Sequence, residues 1–67
     1  MINSNKLKGI IKDRGFTQDD IAKKMGIAQV SLSLKINNKR GFSLDEANQI
    51  MTILSIPKEE FSSIFFN

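Results

Sequence analysis

The sequence predicts an all-α domain of five short helices. Three observations lead to this prediction: apolar residues recur at intervals of three and four, two helix-capping patterns precede such stretches, and four glycines and a single proline separate them. The chain has 67 residues, which suits one small domain over residues 1–67. With 40% hydrophobic and 25% charged residues, its composition is typical of a globular domain and argues against disorder.

The first helix is predicted from an apolar stripe at positions i, i+3 and i+4, formed by Leu7, Ile10 and Ile11. Asn3 or Ser4 can cap its start, because either side chain can accept a hydrogen bond from a free backbone amide. Gly15 stands at the place where a left-handed residue commonly terminates a helix. We therefore expect the helix to end just before Gly15.

The second helix has signals at both ends. Thr17 and Asp20 have the spacing of a capping box, in which each side chain accepts the other residue's backbone amide. Gly26 ends the helix, and its inner stripe consists of Ile21, Ala22 and Met25. A helix of roughly eight residues is too short to be stable alone, so it must pack against its neighbours.

The third segment, residues 28–36, can be interpreted in two ways. Apolar and polar residues alternate along it, which is typical of a strand. The sequence has no second alternating run to pair with, however, and a lone strand cannot satisfy its backbone hydrogen bonds. In a helix, Leu32 and Ile36 form one i, i+4 pair, and Val30 and Leu34 form another on a different face. We therefore predict a helix.

The last two helices are predicted from a capping box and a proline. Ser43 and Glu46 form the box, and the stripe that follows consists of Leu44, Ala47, Ile50, Met51 and Leu54. Pro57 is expected to open a final short helix, because proline is favoured at the first helical position. The apolar stripe of that helix consists of Phe61, Ile64 and Phe65.

The charge is unevenly distributed along the chain. Residues 1–40 carry nine basic and three acidic side chains, a net charge of +6, whereas residues 41–67 carry one basic and four acidic, a net charge of −3. Such a division suggests that one face meets a polyanion. The alternative is that the skew is incidental, since lysine-rich surfaces are common.

The residue types argue against an enzyme. The chain has no histidine, the commonest general base, and no cysteine. Asp19 and Asp20 are adjacent, but consecutive residues on a helix diverge by about 100°, so they do not form a catalytic pair. We expect no catalytic residues, no metal, no cofactor and no small-molecule ligand. Nothing resembles a signal peptide or approaches the roughly 20 apolar residues of a membrane span, so we expect a cytoplasmic protein without membrane contact.

Residues 17–33 resemble the helix-turn-helix of phage repressor and Cro-type proteins, the XRE family. The family pattern is roughly T-Q-x-x-[LI]-A-x-x-x-G-[IV]-x-x-x-x-[IL]-S, followed by N-x-K-R. The chain matches it at Thr17, Gln18, Ile21, Ala22, Gly26, Ile27, Leu32, Ser33, Asn37, Lys39 and Arg40. The resemblance covers nearly the whole chain and implies a compact, lambda-repressor-like domain of five helices with a central helix-turn-helix.

Two positions depart from the family pattern. Asn38 stands where the family usually has glycine, and asparagine tolerates the same left-handed backbone. Lys35 stands where the family usually has a half-buried apolar residue. Either its stem covers the core while the ammonium reaches outward, or the helix is rotated so that Leu34 partly fills the gap.

The resemblance implies that the third helix lies in the major groove of double-stranded DNA, with Gln29, Val30, Ser33 and Leu34 at the base edges. Gln29 can bond adenine N6 and N7, and Val30 and Leu34 can pack on thymine methyl groups, which predicts a half-site rich in A·T pairs. The alternative for Val30 and Leu34 is burial in the core.

The resemblance also implies contacts to phosphate from Gln18, Asn37, Lys39 and Arg40. Lys6 and Lys8, on the first helix, are better explained as part of a solvated helix face.

Members of the family bind near-palindromic sites as two-fold dimers, so the resemblance implies a homodimer on DNA. Four large apolar residues fall close together at the end of the chain: Phe61, Ile64, Phe65 and Phe66. One short helix can hardly bury them all. We expect Phe66, and secondarily Ile64, at the dimer interface.

The expected function is a sequence-specific DNA-binding transcriptional regulator, a repressor of phage or prophage type in a bacterium or a phage-infected host cell. Because the 67 residues hold no separate effector or cleavage domain, Cro-like action without one is favoured, although the chain could also be the DNA-binding domain of a longer protein. The alternative is an antitoxin or another protein-interaction module built on the same fold, which would bind a co-encoded protein.

Overall fold

The computed structural model describes residues 1–66, and in this range it contains five α-helices and no strand. They are α1 (Ser4–Asp13), α2 (Gln18–Met25), α3 (Gln29–Ile36), α4 (Leu44–Ile53) and α5 (Phe61–Phe65). The all-α prediction is confirmed. Pro57 precedes a three-residue 3₁₀ turn, Lys58–Glu60, rather than opening α5 directly, so the α-helix proper begins later than expected.

Both predicted capping boxes are present. Thr17 Oγ1 accepts the Asp20 amide at 3.1 Å, and the Asp20 carboxylate accepts the Thr17 amide at 2.8 Å. Ser43 and Glu46 form the same pair of bonds at 3.1 and 2.9 Å. Because each box satisfies two amides that the helix leaves free, these boxes fix where α2 and α4 begin.

The third segment is helical, as predicted. Leu32 and Ile36 are fully buried and hold α3 in the core. Val30 and Leu34 lie on the other face, where Val30 is 66% exposed and Leu34 is half-buried. The alternation along the segment therefore reflects two helical stripes of different burial.

One hydrophobic core joins the five helices. The side chains with essentially no exposed surface are Leu7, Ile21, Leu32, Ile36, Ile50, Leu54 and Ile64. Helix α2 packs against α3 and α4, and α1 packs against α3 and α5. None of the helices in residues 1–66 is long and apolar enough to cross a membrane.

The structure corrects the expectation for Ile64. This side chain is fully buried, because α5 turns it into the core between the N-terminal segment and the other helices. The Ile64 carbonyl accepts the Asn3 amide at 2.7 Å. A residue with no exposed surface offers nothing to a second copy, so Ile64 belongs to the core. Phe66, by contrast, is 73% exposed.

Candidate nucleic-acid interface

Helices α2 and α3 form a tight helix–turn–helix unit joined by three residues. Gly26 adopts a left-handed conformation with φ of 73°, which glycine reaches without a Cβ clash. The Ile27 amide then donates to the Ala22 carbonyl at 3.0 Å and closes the end of α2. Ile21, Ala22 and Leu32 are buried in the core that the two helices share. The unit therefore presents α3 as a supported helix with its other side free.

The free side of α3 carries a mixed polar and apolar surface, which we call the α3 surface: Gln29, Val30, Ser33 and Leu34. These positions are i, i+1, i+4 and i+5 and so share one side of the helix. Gln29 and Val30 are exposed, and Ser33 and Leu34 are half-buried. The exposure of Val30 excludes the alternative that this residue is a core residue. Chemically, the surface offers an amide, a hydroxyl and two aliphatic side chains.

The start of α3 has no side-chain cap. Its N-cap residue is Ala28, in extended conformation, which makes no side-chain hydrogen bond. The first amides of α3 therefore lack the side-chain acceptor that α2 and α4 receive. Gln18, the first residue of α2, is half-buried, and its side chain forms no hydrogen bond with Gln29 within residues 1–66.

A short turn, which we call the basic turn, follows α3 and comprises residues 37–40. All four residues are exposed. The amides of Lys39 and Arg40 both donate to the Leu34 carbonyl, at 2.8 and 3.2 Å, so the turn folds back on the end of α3. Neither side chain takes part in an ion pair in the part of the chain that the structure describes.

Asn38 adopts the left-handed conformation expected from the sequence, with φ of 61°. Its side chain has a further role that the sequence did not indicate. Its Oδ1 accepts the Ile2 amide at 2.8 Å, and its Nδ2 donates to the Ile2 carbonyl at 3.1 Å. The basic turn is thereby joined to the N-terminal segment.

Asn37 connects α3 with α1. Its Nδ2 donates to the Ser33 carbonyl at 2.9 Å and approaches Ser33 Oγ at 3.3 Å. Its Oδ1 accepts a hydrogen bond from Lys8 Nζ at 2.7 Å. The contact between Lys8 and Asn37 differs from the solvated face expected for Lys8; the approach of α1 to the end of α3 is a tertiary contact that leaves no signal in the local sequence.

Lys35 is half-buried and anchors α3 to α4. Its Nζ lies 3.0 Å from Glu46 Oε1 and 3.3 Å from the Gly41 carbonyl oxygen. The stem thus covers the core, but the ammonium binds a carboxylate rather than reaching open solvent. The Ser43 amide, and after it the Lys35 ammonium, hold the pKa of Glu46 below its ordinary value.

The acidic groups at the start of α2 are already engaged. Asp19 forms an i, i+4 ion pair with Lys23 at 3.2 Å. Asp20 is held in the capping box, where the Thr17 amide lowers its pKa. Their charges are therefore partly compensated by Lys23 and by a backbone amide.

A second exposed surface is apolar. We call it the apolar face: the exposed residues Met1, Leu44 and Phe66 and the half-buried Phe61, which line one groove of about 430 Å³. Leu44 is 66% exposed, and the rings of Phe61 and Phe66 have centroids 5.5 Å apart. Arg40 of the basic turn lies at the same groove. Large exposed apolar residues that share a groove are typical of an interaction surface.

No group of three or more acidic, histidine or cysteine side chains able to hold a metal occurs within residues 1–66.

In comparisons with known proteins, a family model described as "Protein of unknown function (DUF739)" matches residues 2–67. No curated protein matches the chain.

Proposed function

The chain belongs to the DUF739 family, and we propose that it is a sequence-specific DNA-binding regulator. It would act in the manner of phage repressor and Cro-type proteins, in the cytoplasm of a bacterium or a phage-infected host cell. The observation that carries the proposal is the exposed α3 surface next to two cations, Lys39 and Arg40, that have no ionic partner in residues 1–66.

Val30 supports this proposal because it places an exposed aliphatic side chain next to Gln29 on the outer side of α3. Leu32 and Ile36 anchor α3 from its buried side, which leaves Val30 free to contact a partner. In a major groove, Val30 would pack on a thymine methyl group and lose its contact with water. Gln29, one residue earlier, would bond adenine N6 and N7. The expected half-site is therefore rich in A·T pairs.

Lys39 and Arg40 would hold phosphate groups beside the groove. Their amides are fixed to the end of α3, so the positions of the two cations follow the position of the helix. Contacts of this kind set orientation and affinity, whereas base contacts set sequence preference. Substitutions in the basic turn should therefore change affinity for all sequences, whereas substitutions in the α3 surface should change sequence preference.

Selection from a randomised duplex library at about 150 mM salt tests the proposal. We expect a two-fold symmetric site with half-sites about one helical turn apart. Gln29→Ala should then lose preference at one base step, whereas Gln49→Ala, at an exposed glutamine of α4, should change nothing. Enrichment of no sequence, with binding that disappears as salt rises, would mean general polyanion affinity and would refute the proposal.

We further propose that a second copy of the chain binds the apolar face. A two-fold dimer joins the same patch of both subunits, and exposed apolar residues such as Leu44 and Phe66 would then cover each other. Phe66→Asp should abolish self-association in sedimentation velocity, because it places a charge in the apolar interface. Val30→Asp, which introduces the same charge at a comparably exposed apolar residue, should leave self-association unchanged. Equal self-association of the two variants would contradict this assignment.

The apolar face also favours one alternative function, an antitoxin or another protein-interaction module on the same fold. In that case a co-encoded protein, rather than a second copy, would cover Leu44 and Phe66. A regulator binds its selected duplex by itself, whereas an antitoxin binds its partner protein through the surface that Phe66→Asp disrupts. Measuring both affinities for the wild-type chain and this variant separates the two functions.

A further inference from the structure

We infer that α1 takes part in DNA binding through Lys8, and that Asn37 positions Lys8 instead of contacting phosphate itself. This inference rests on the proposed function and adds a residue to its phosphate-binding set. It changes the roles of two residues: Lys8 was assigned to a solvated face, and Asn37 was expected at the phosphate backbone.

The hydrogen bonds of Asn37 carry the argument. Its Nδ2 is directed back to its own helix, at 2.9 Å from the Ser33 carbonyl oxygen. Its Oδ1 accepts from Lys8 Nζ at 2.7 Å. A phosphate oxygen can only accept, so Oδ1 has nothing to offer it, whereas an ammonium has three donors and uses one of them here. Of the pair, Lys8 is therefore the group suited to bind phosphate.

The position of Lys8 distinguishes it from the other lysines of α1. Lys6 contacts the C-terminal segment: its Nζ donates to Ser63 Oγ at 2.8 Å and lies 3.8 Å from Glu60 Oε1. Lys8 instead reaches Asn37, the residue that ends α3 and begins the basic turn. Lys8 thus joins Lys39 and Arg40 as a third cation beside the same helix end.

The salt dependence of duplex binding tests this inference. Each phosphate that a lysine or arginine neutralises contributes about 0.9 to the slope of log affinity against log salt, because counterions are released from the DNA. Lys8→Ala should lower that slope by about 0.9, so the ratio of wild-type to variant affinity should fall about 3.5-fold between 50 and 200 mM salt. The loss should be equal for all sequences, because phosphate contacts carry no sequence information. Lys12→Ala removes an exposed charge from the same helix and should leave the slope unchanged.

The role of Asn37 is tested by a double-variant cycle. Asn37→Ala should lower the slope by less than Lys8→Ala does. The double variant should match Lys8→Ala alone, both in slope and in affinity. A further loss of affinity in the double variant, at the salt slope of Lys8→Ala, would make Asn37 a phosphate contact and overturn its positioning role, because a neutral amide binds phosphate without changing the slope. Equal slopes for wild type and Lys8→Ala, or equal losses for the Lys8 and Lys12 variants, would overturn the inference while leaving DNA binding established. If the wild-type chain selects no duplex, the proposed function fails first and the inference falls with it.

Discussion

Asn38 joins the basic turn to the N-terminal segment, and its replacement measures the strength of that connection. Its side chain makes two hydrogen bonds to the backbone of Ile2, a residue 36 positions away. A neutral hydrogen bond typically contributes about 0.5–1.5 kcal/mol net, so the two together contribute about 1–3 kcal/mol. Asn38→Gly keeps the left-handed backbone without strain and removes the amide, so we expect the free energy of unfolding to fall by at least that amount.

Two comparisons sharpen this prediction. Asn38→Ala loses the same bonds and adds left-handed strain of about 1–2 kcal/mol. In Asn38→Gly, the greater conformational freedom of glycine in the unfolded chain lowers the free energy of unfolding by a further amount of about 0.4–1 kcal/mol. We therefore expect the alanine variant to be the less stable of the two. Asn5→Ala, at an exposed asparagine of α1, should cost nothing.

Urea denaturation is the assay. With a slope near 1 kcal/mol per molar for so small a domain, the two lost hydrogen bonds and the freedom of glycine together should lower the midpoint of Asn38→Gly by about 1.4–4 M at unchanged slope. Hydrogen exchange of the Ile2 amide should accelerate in the same variant, because its acceptor is gone. A glycine variant within about 0.5 kcal/mol of wild type, with the Ile2 amide still protected, would refute the reasoning.

Three further predictions concern the fold. Asp20 and Glu46 have lowered pKa values, because each accepts the amide that begins its capping box. The stability that they contribute is complete above the ordinary carboxyl pKa of about 4 and is lost as the pH falls through the lowered values. Replacing Asp20 by Asn and Glu46 by Gln together should abolish this loss of stability at low pH, as measured by unfolding curves at a series of pH values. Gly26→Ala should cost about 1–2 kcal/mol by denaturation, because its Cβ meets nothing and φ alone is strained, whereas Gly9→Ala, inside α1, should stabilise by about 0.5–1 kcal/mol. Ile50→Ala, at a fully buried position, should cost about 2–5 kcal/mol in thermal unfolding.

Features that depend on neighbouring residues could be predicted from the sequence. Each bond of the Thr17–Asp20 capping box spans three residues, and Gly26 acts on its own turn, so both could be recognised without knowledge of the fold. Choosing a helix for α3 placed Val30 and Leu34 on a different face from Leu32 and Ile36, but the sequence left burial of Val30 open, and only the structure shows that Val30 is 66% exposed. That choice itself needed an argument about the whole chain, since the local alternation favoured a strand.

Features that depend on how helices pack could not be predicted. The partner of Lys35 is Glu46 on α4, and the partner of Asn37 is Lys8 on α1, and neither pair is close in sequence. Ile64 was misplaced for a related reason. A helix of five residues is too short for its periodicity to show which apolar residues point inward, so the separation of buried Ile64 from exposed Phe66 depends on tertiary contacts.

The uncapped start of α3 has a consequence for how this protein can change under selection. Ser, Thr or Asp in place of Ala28 would be expected to add about 0.5–2 kcal/mol of stability, a large gain for a domain of this size. The same substitution would place a polar or charged group directly before Gln29. If the α3 surface meets DNA, the negative charge of Ala28→Asp would repel phosphate, so this route to a more thermostable descendant would be opposed by a loss of affinity that the uncharged Ala28→Ser would avoid.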